Sequence, residues 1–166
     1  TFAQSEKYYA AMGTALQQLG EAKTGEEIIA VEQKFERIAN AEKNQWLPYY
    51  YAAYSLVMKS YQEKDKKNID PLMDQADTFL FRAEVLSKNN AEITTMKAMT
   101  TQCRMTVDWS RGRTLGPLSS QLIQLAETQI PKDNPRAIMF EAQSAYYTPE
   151  AFGGSKSKGK ELMKKA

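Results

Sequence analysis

The stretch Gly154-Ser155-Lys156-Ser157-Lys158-Gly159-Lys160-Glu161 has the spacing of a phosphate-binding loop, G-x-x-x-x-G-K-[ST], with Glu161 where a hydroxyl would hold Mg²⁺. Such a loop works when a strand delivers glycine-rich backbone to a helix N-terminus, whose N–H groups cradle the phosphates. Residues 142–147 upstream read as helix, Thr148-Pro149 follows, and no apolar strand ending in Asp comes after. The stretch therefore reads as a turn. Gly153 and Gly154 supply positive φ, Ser155 or Ser157 caps the last helix, and Lys156, Lys158, Lys160, Lys164 and Lys165 form a basic surface.

Other chemistry is scarce. The 166 residues contain no His and a single cysteine, Cys103, which removes the commonest general base, any intrachain disulfide and a Cys-cluster metal site. Glu26-Glu27 belongs to a helix start, and Asp65 and Asp70 lie in a lysine-rich loop. No carboxylate pair sits in the apolar context that would raise one pKa for acid–base work. The reading is non-enzymatic, with no cofactor. Trp109-Ser110-Arg111-Gly112-Arg113 is the one anion-site candidate: two arginines beside a Trp suit a phosphate or carboxylate. The competing reading has these arginines capping the carbonyls at the end of the preceding helix.

Lys+Arg 22 against Asp+Glu 20 leaves +2, so no global field draws the chain to nucleic acid, and no run of 18 apolar residues would span a membrane. Thr1-Phe2-Ala3 before Gln4 has the small residues expected beside a signal-peptidase cut.

Apolar spacing is helical almost throughout, and we expect one domain over residues 1–166 with about eight helices. Tyr8, Met12, Ala15 and Leu19 mark the first. Thr24 with Glu27 is a capping box for the second, which buries Ile28, Val31, Phe35 and Ile38. The third begins at Trp46 with Pro48 in its first turn. Asp70-Pro71 is the expected cap of the fourth, Asn90 of the fifth, Gly116-Pro117 of the sixth, and Asn134-Pro135 of the seventh. The eighth follows the Gly/Ser/Lys turn.

Ala76, Leu80 and Ala83 place small residues either side of a large one, and Gly159, Met163 and Ala166 share that spacing. This resembles the second helix of a tetratricopeptide repeat. Trp46, Tyr49, Tyr50 and Ala53 match the first helix less well. FERIANAEKNQWLPYYYAAY, RTLGPLSSQL, DNPRA and YYTPEAFGGSKSKGKELMKKA together resemble small exported tetratricopeptide-repeat-like proteins of the Bacteroidetes type, mostly without assigned activity. That resemblance implies antiparallel helix pairs stacked as a degenerate right-handed superhelix. It also implies a cleaved secretory leader, a periplasmic or secreted location, and a last helix without the polar cap a solenoid needs.

In such arrays the first helices of the pairs line a concave face that binds peptides or proteins. The resemblance puts Tyr51, Tyr54, Arg136, Gln143, Tyr146 and Tyr147 there. Independently, Trp46, Tyr50, Ala53 and Val57 form one stripe of the third helix, and Leu47, Tyr51, Tyr54 and Met58 a second. The expected function is protein or peptide binding at the cell envelope. The alternative is a small-ligand or glycan-binding protein using the same tyrosines. Self-association through the uncapped end, around Leu162 and Met163, fits the first reading equally.

Overall fold

The computed structural model describes residues 6–166, so the Thr1-Phe2-Ala3-Gln4 segment read as a leader junction lies outside the described residues. Among the described residues eight α-helices follow one another: α1 (Glu6–Glu21), α2 (Gly25–Ala41), α3 (Trp46–Gln62), α4 (Ile69–Leu86), α5 (Ala91–Met105), α6 (Gly112–Thr128), α7 (Pro135–Tyr147) and α8 (Lys156–Lys165). Among the described residues no strand forms beyond an isolated bridge between Asn90 and Ile130. The fold is all-α, as the apolar periodicity predicts.

Most helix starts obey the cap residues. The Glu27 N–H donates to Thr24 Oγ1 at 3.2 Å while the Thr24 N–H donates to Glu27 Oε2 at 3.0 Å, a complete capping box. Asn90 and Asn134 accept from backbone N–H groups of α5 and α7, and Ser155 caps α8. Two starts differ from expectation. Asp70 is the second residue of α4 and does not cap it, because its carboxylate is drawn to Arg111 and Arg104. Pro117 lies inside α6, which begins five residues earlier, directly after a 3₁₀ turn at Trp109–Arg111 in which Asp108 accepts from the Ser110 N–H. Pro117 has no N–H to offer the Arg113 carbonyl one turn back, so α6 goes without that bond in its second turn.

In the Gly/Ser/Lys turn, only Gly153 needs left-handed backbone, at φ 88°. Gly154 is small for a different reason: a Cβ there would collide with the Thr148 carbonyl oxygen. The Ser155 N–H donates to Ala145 O at 2.8 Å and folds α8 back onto α7.

Sequential helices pack against each other, and α3 also touches α5, as α5 touches α7. Contact between alternate helices on one side makes α3, α5 and α7 the short, concave layer of the stack. Phe35, Tyr50, Leu56, Met73, Leu80 and Met96 fill a main core built by α1 to α5. Burying each such large side chain contributes roughly 1.5–3 kcal/mol, which is what holds α3 between its neighbours. Farther along, Ala91, Ala126 and Ala137 let α5, α6 and α7 approach closely, beside a small cluster of Ala98, Ile123 and Phe140.

Candidate functional site

Two stripes of α3 meet two environments. Tyr50, Ala53 and Val57 are buried, whereas Leu47, Tyr51, Tyr54 and Met58 are half-buried on the concave layer. Tyr51 stacks on Phe35 with ring centroids 5.4 Å apart, and stands edge-on to Tyr50 at 5.2 Å and to Tyr54 at 6.3 Å. An aromatic shelf therefore runs from the core to the open face.

The start of α5 fixes how α7 meets that shelf. Glu92 accepts from Tyr50 Oη at 2.7 Å, from Arg136 Nε at 2.9 Å and from Asn134 Nδ2 at 2.8 Å. One carboxylate thus ties the N-terminal ends of three helices, and those helices run parallel. The other ends agree: Ser60, late in α3, donates to Cys103 Sγ, late in α5, at 3.4 Å. Burial, then the nearby Glu92 carboxylate, raise the Tyr50 pKa, so its phenol stays a donor. Held at Nε, the Arg136 guanidinium lies over the Tyr54 ring, its carbon 5.4 Å from the centroid.

Arg136, Met139, Gln143 and Tyr147 fall within about 80° of one another around α7, and all but half-buried Arg136 are exposed. Tyr146 turns aside: a Cβ on Gly159 of α8 would meet Tyr146 Cβ at 2.7 Å, so that side of α7 is covered by α8. Of the six predicted groove residues, Tyr51, Tyr54 and Arg136 come together at one end. Gln143 and Tyr147 continue the face along α7, and Tyr146 sits at its edge, with its ring edge-on to Tyr147 at 5.1 Å.

A solved structure shares this architecture over 99% of the chain: the HusA haemophore from Porphyromonas gingivalis, 30% identical, with a TM-score of 0.87 and 80% of that chain covered. The chain belongs to the HusA family. No family model and no curated protein matches it.

Elsewhere in this HusA-family chain, the Trp109-Arg111-Arg113 corner is largely filled by the protein's own charges. Arg111 donates to both Asp70 oxygens at 2.9 Å and to Arg104 O at 3.3 Å, while Arg104 reaches Asp74 at 2.8 Å and Asp77 at 2.7 Å. Arg111 does cap the end of α5. Trp109, 83% exposed, and Arg113 remain open to solvent.

Below the shelf, Tyr61 continues the α3 stripe seven residues after Tyr54. Its ring is exposed although its hydroxyl reaches Cys103, and burial of that hydroxyl followed by the Cys103 charge raise its pKa. Ser60, Tyr61, Ile69, Cys103 and Thr106 border a cleft of about 270 Å³ there, and a second cleft of about 320 Å³ lies near Ile29, Leu72 and Gln75. Burial pushes the Cys103 thiol up as well, so it rests protonated.

One carboxylate pair distant in sequence does converge. Glu127 and Glu141 are hydrogen-bonded: burial and then Glu141 raise Glu127, while burial of Glu141 is outweighed by Lys158, at 2.7 Å, and by Glu127. Lys158 thereby binds α8 to α7. Sequence reasoning missed Glu92 altogether, because an acid in the first turn of a helix is explained by the dipole alone. Its partners Tyr50 and Asn134 lie 42 residues before and after it, at the fifth residue of α3 and at the cap of α7, so no constant helix position marks them in the sequence.

Proposed function

We infer that the chain is a non-enzymatic, exported binding protein whose cargo is haem or a similarly flat, carboxylate-bearing tetrapyrrole, held on the concave face at Tyr51 and Tyr54. The observation that carries this is membership of a haemophore's family over nearly the whole chain. It supports the small-ligand alternative ahead of the peptide adaptor. The half-buried tyrosines offer ring faces for stacking, and the tetratricopeptide-like pairing of helices supports a preformed concave surface. The two clefts, of about 320 and about 270 Å³, are small beside a tetrapyrrole, so the ligand is expected to lie against the open layer.

Iron ligation follows from the inventory. With no His in the sequence, the available donors are Tyr phenolate, Met thioether and Cys thiolate. Cys103 is buried and protonated, whereas Tyr51 and Tyr54 are reachable. Export also agrees with the helices: none among the described residues is long and apolar enough to cross a membrane.

The test is a haemin titration followed by Soret absorbance, with a Tyr51→Ala/Tyr54→Ala double variant checked for helicity. Saturable binding by the wild type and its loss in the folded variant are expected. An unchanged titration in the variant would remove the site from these tyrosines, and no binding by either would remove the reading.

A further inference from the structure

We propose that Arg136 is a carboxylate clamp that selects the free-acid form of the cargo, and that Glu92 is its positioning residue. This rests on the haem reading above. Glu92 engages Arg136 through Nε alone, at 2.9 Å, and no other hydrogen bond to this guanidinium exists among the described residues. Both Nη groups are therefore unpaired on a side chain that is 40% exposed. An arginine held at one edge presents the other as a ready fork for a carboxylate.

The placement is specific to this site. The guanidinium lies over Tyr54, 5.4 Å from the ring centre, so a flat ligand stacked beside Tyr51 and Tyr54 brings its peripheral acid groups to that fork. Glu92 does not compete for the fork's free edge, because its oxygens already accept from Tyr50, Asn134 and Arg136. Since Glu92 offsets the Arg136 charge, hydrogen-bond geometry rather than net charge makes the selection. A neutral ester of the same macrocycle keeps its face and its iron, and loses the ionised oxygens that the fork reads.

The deciding measurement compares wild-type affinity for haem with that for haem dimethyl ester. We expect the ester to bind about ten-fold more weakly, the size of one charge-assisted hydrogen-bonded contact. In Arg136→Gln the gap should close, in Arg136→Lys it should return in part, and in Glu92→Gln it should narrow although the fork itself remains. Equal affinity of the wild type for acid and ester, or a gap that persists in Arg136→Gln, overturns the clamp and leaves the haem reading standing. Failure of the wild type to bind either compound overturns the haem reading, and the clamp with it.

Discussion

Tyr50 and Glu92 are 42 residues apart in the chain and 2.7 Å apart in the fold. Their hydrogen bond crosses from α3 to α5 at the point where α7 also arrives. Tyr50→Phe keeps the buried ring and deletes the donor, so unfolding in urea should show a loss of about 1–2 kcal/mol. Glu92→Ala should cost more, because it strands the Tyr50 hydroxyl and the Asn134 amide together.

Glu32 carries a pH dependence of stability. It is 2% exposed in α2, its Oε1 has no hydrogen-bond partner, and burial, with Glu36 one turn on, pushes its pKa up to about 7. The folded chain then holds a proton that the unfolded chain has released between pH 4.5 and 7, so stability from this group falls as pH rises through that window. Glu32→Met should match the wild type near pH 4.5 and exceed it by on the order of 2 kcal/mol at pH 8. Denaturant melts at the two pH values read this directly, and parallel curves would reject it.

Gly159 and Gly116 should respond oppositely to alanine. At Gly159 a Cβ would meet Ala142 O at 2.8 Å and Tyr146 N at 2.9 Å, both backbone atoms that cannot step aside. Gly159→Ala should cost about 1–3 kcal/mol and loosen α8, seen as faster amide exchange there. At Gly116 nothing lies within 4 Å, so Gly116→Ala should stabilise α6 by up to about 1 kcal/mol.

Tyr54→Ala should weaken haem binding about ten-fold or more while shifting the melting temperature little. The half-buried ring supports Arg136 without filling the main core. Equal losses of stability and affinity would make Tyr54 a packing residue instead.

Cys103 should be inert in the folded protein. It is 3% exposed, accepts from Ser60 and has its thiol pushed up by burial. A thiol reagent at neutral pH should label it slowly in buffer and quickly in denaturant, and the slow rate should track global unfolding.

The helices were legible because burial imposes a period: Ile28, Val31 and Phe35 of α2 are buried as their spacing predicts, with Ile38 half-buried, and the Thr24, Asn90, Asn134 and Ser155 caps stand where expected. The starts of α4 and α6 were not, since Asp70 chose between capping and an arginine 41 residues away, and only three dimensions decide that. Tyr51 and Tyr54 could be read from a second stripe. The role of Glu92 could not, because its three partners lie on other helices.

The turn before α5 and the turn before α7 are joined by backbone: the Ala91 N–H donates to Ile130 O at 2.9 Å and the Ile130 N–H to Asn89 O at 3.2 Å. With Glu92 beside them, the hydrogen bonds that join α5 and its preceding turn to α7 and its preceding turn sit at one end of the layer, and none joins the far halves of α5 and α7 among the described residues. Between α5 and α7 the concave face is therefore bound like a book along a single spine, whereas α3 and α5 are also joined at their far ends by Ser60 and Cys103. Any widening to admit a bulky guest must fan out from that edge, with the pages parting near Tyr147 while Arg136 stays in register.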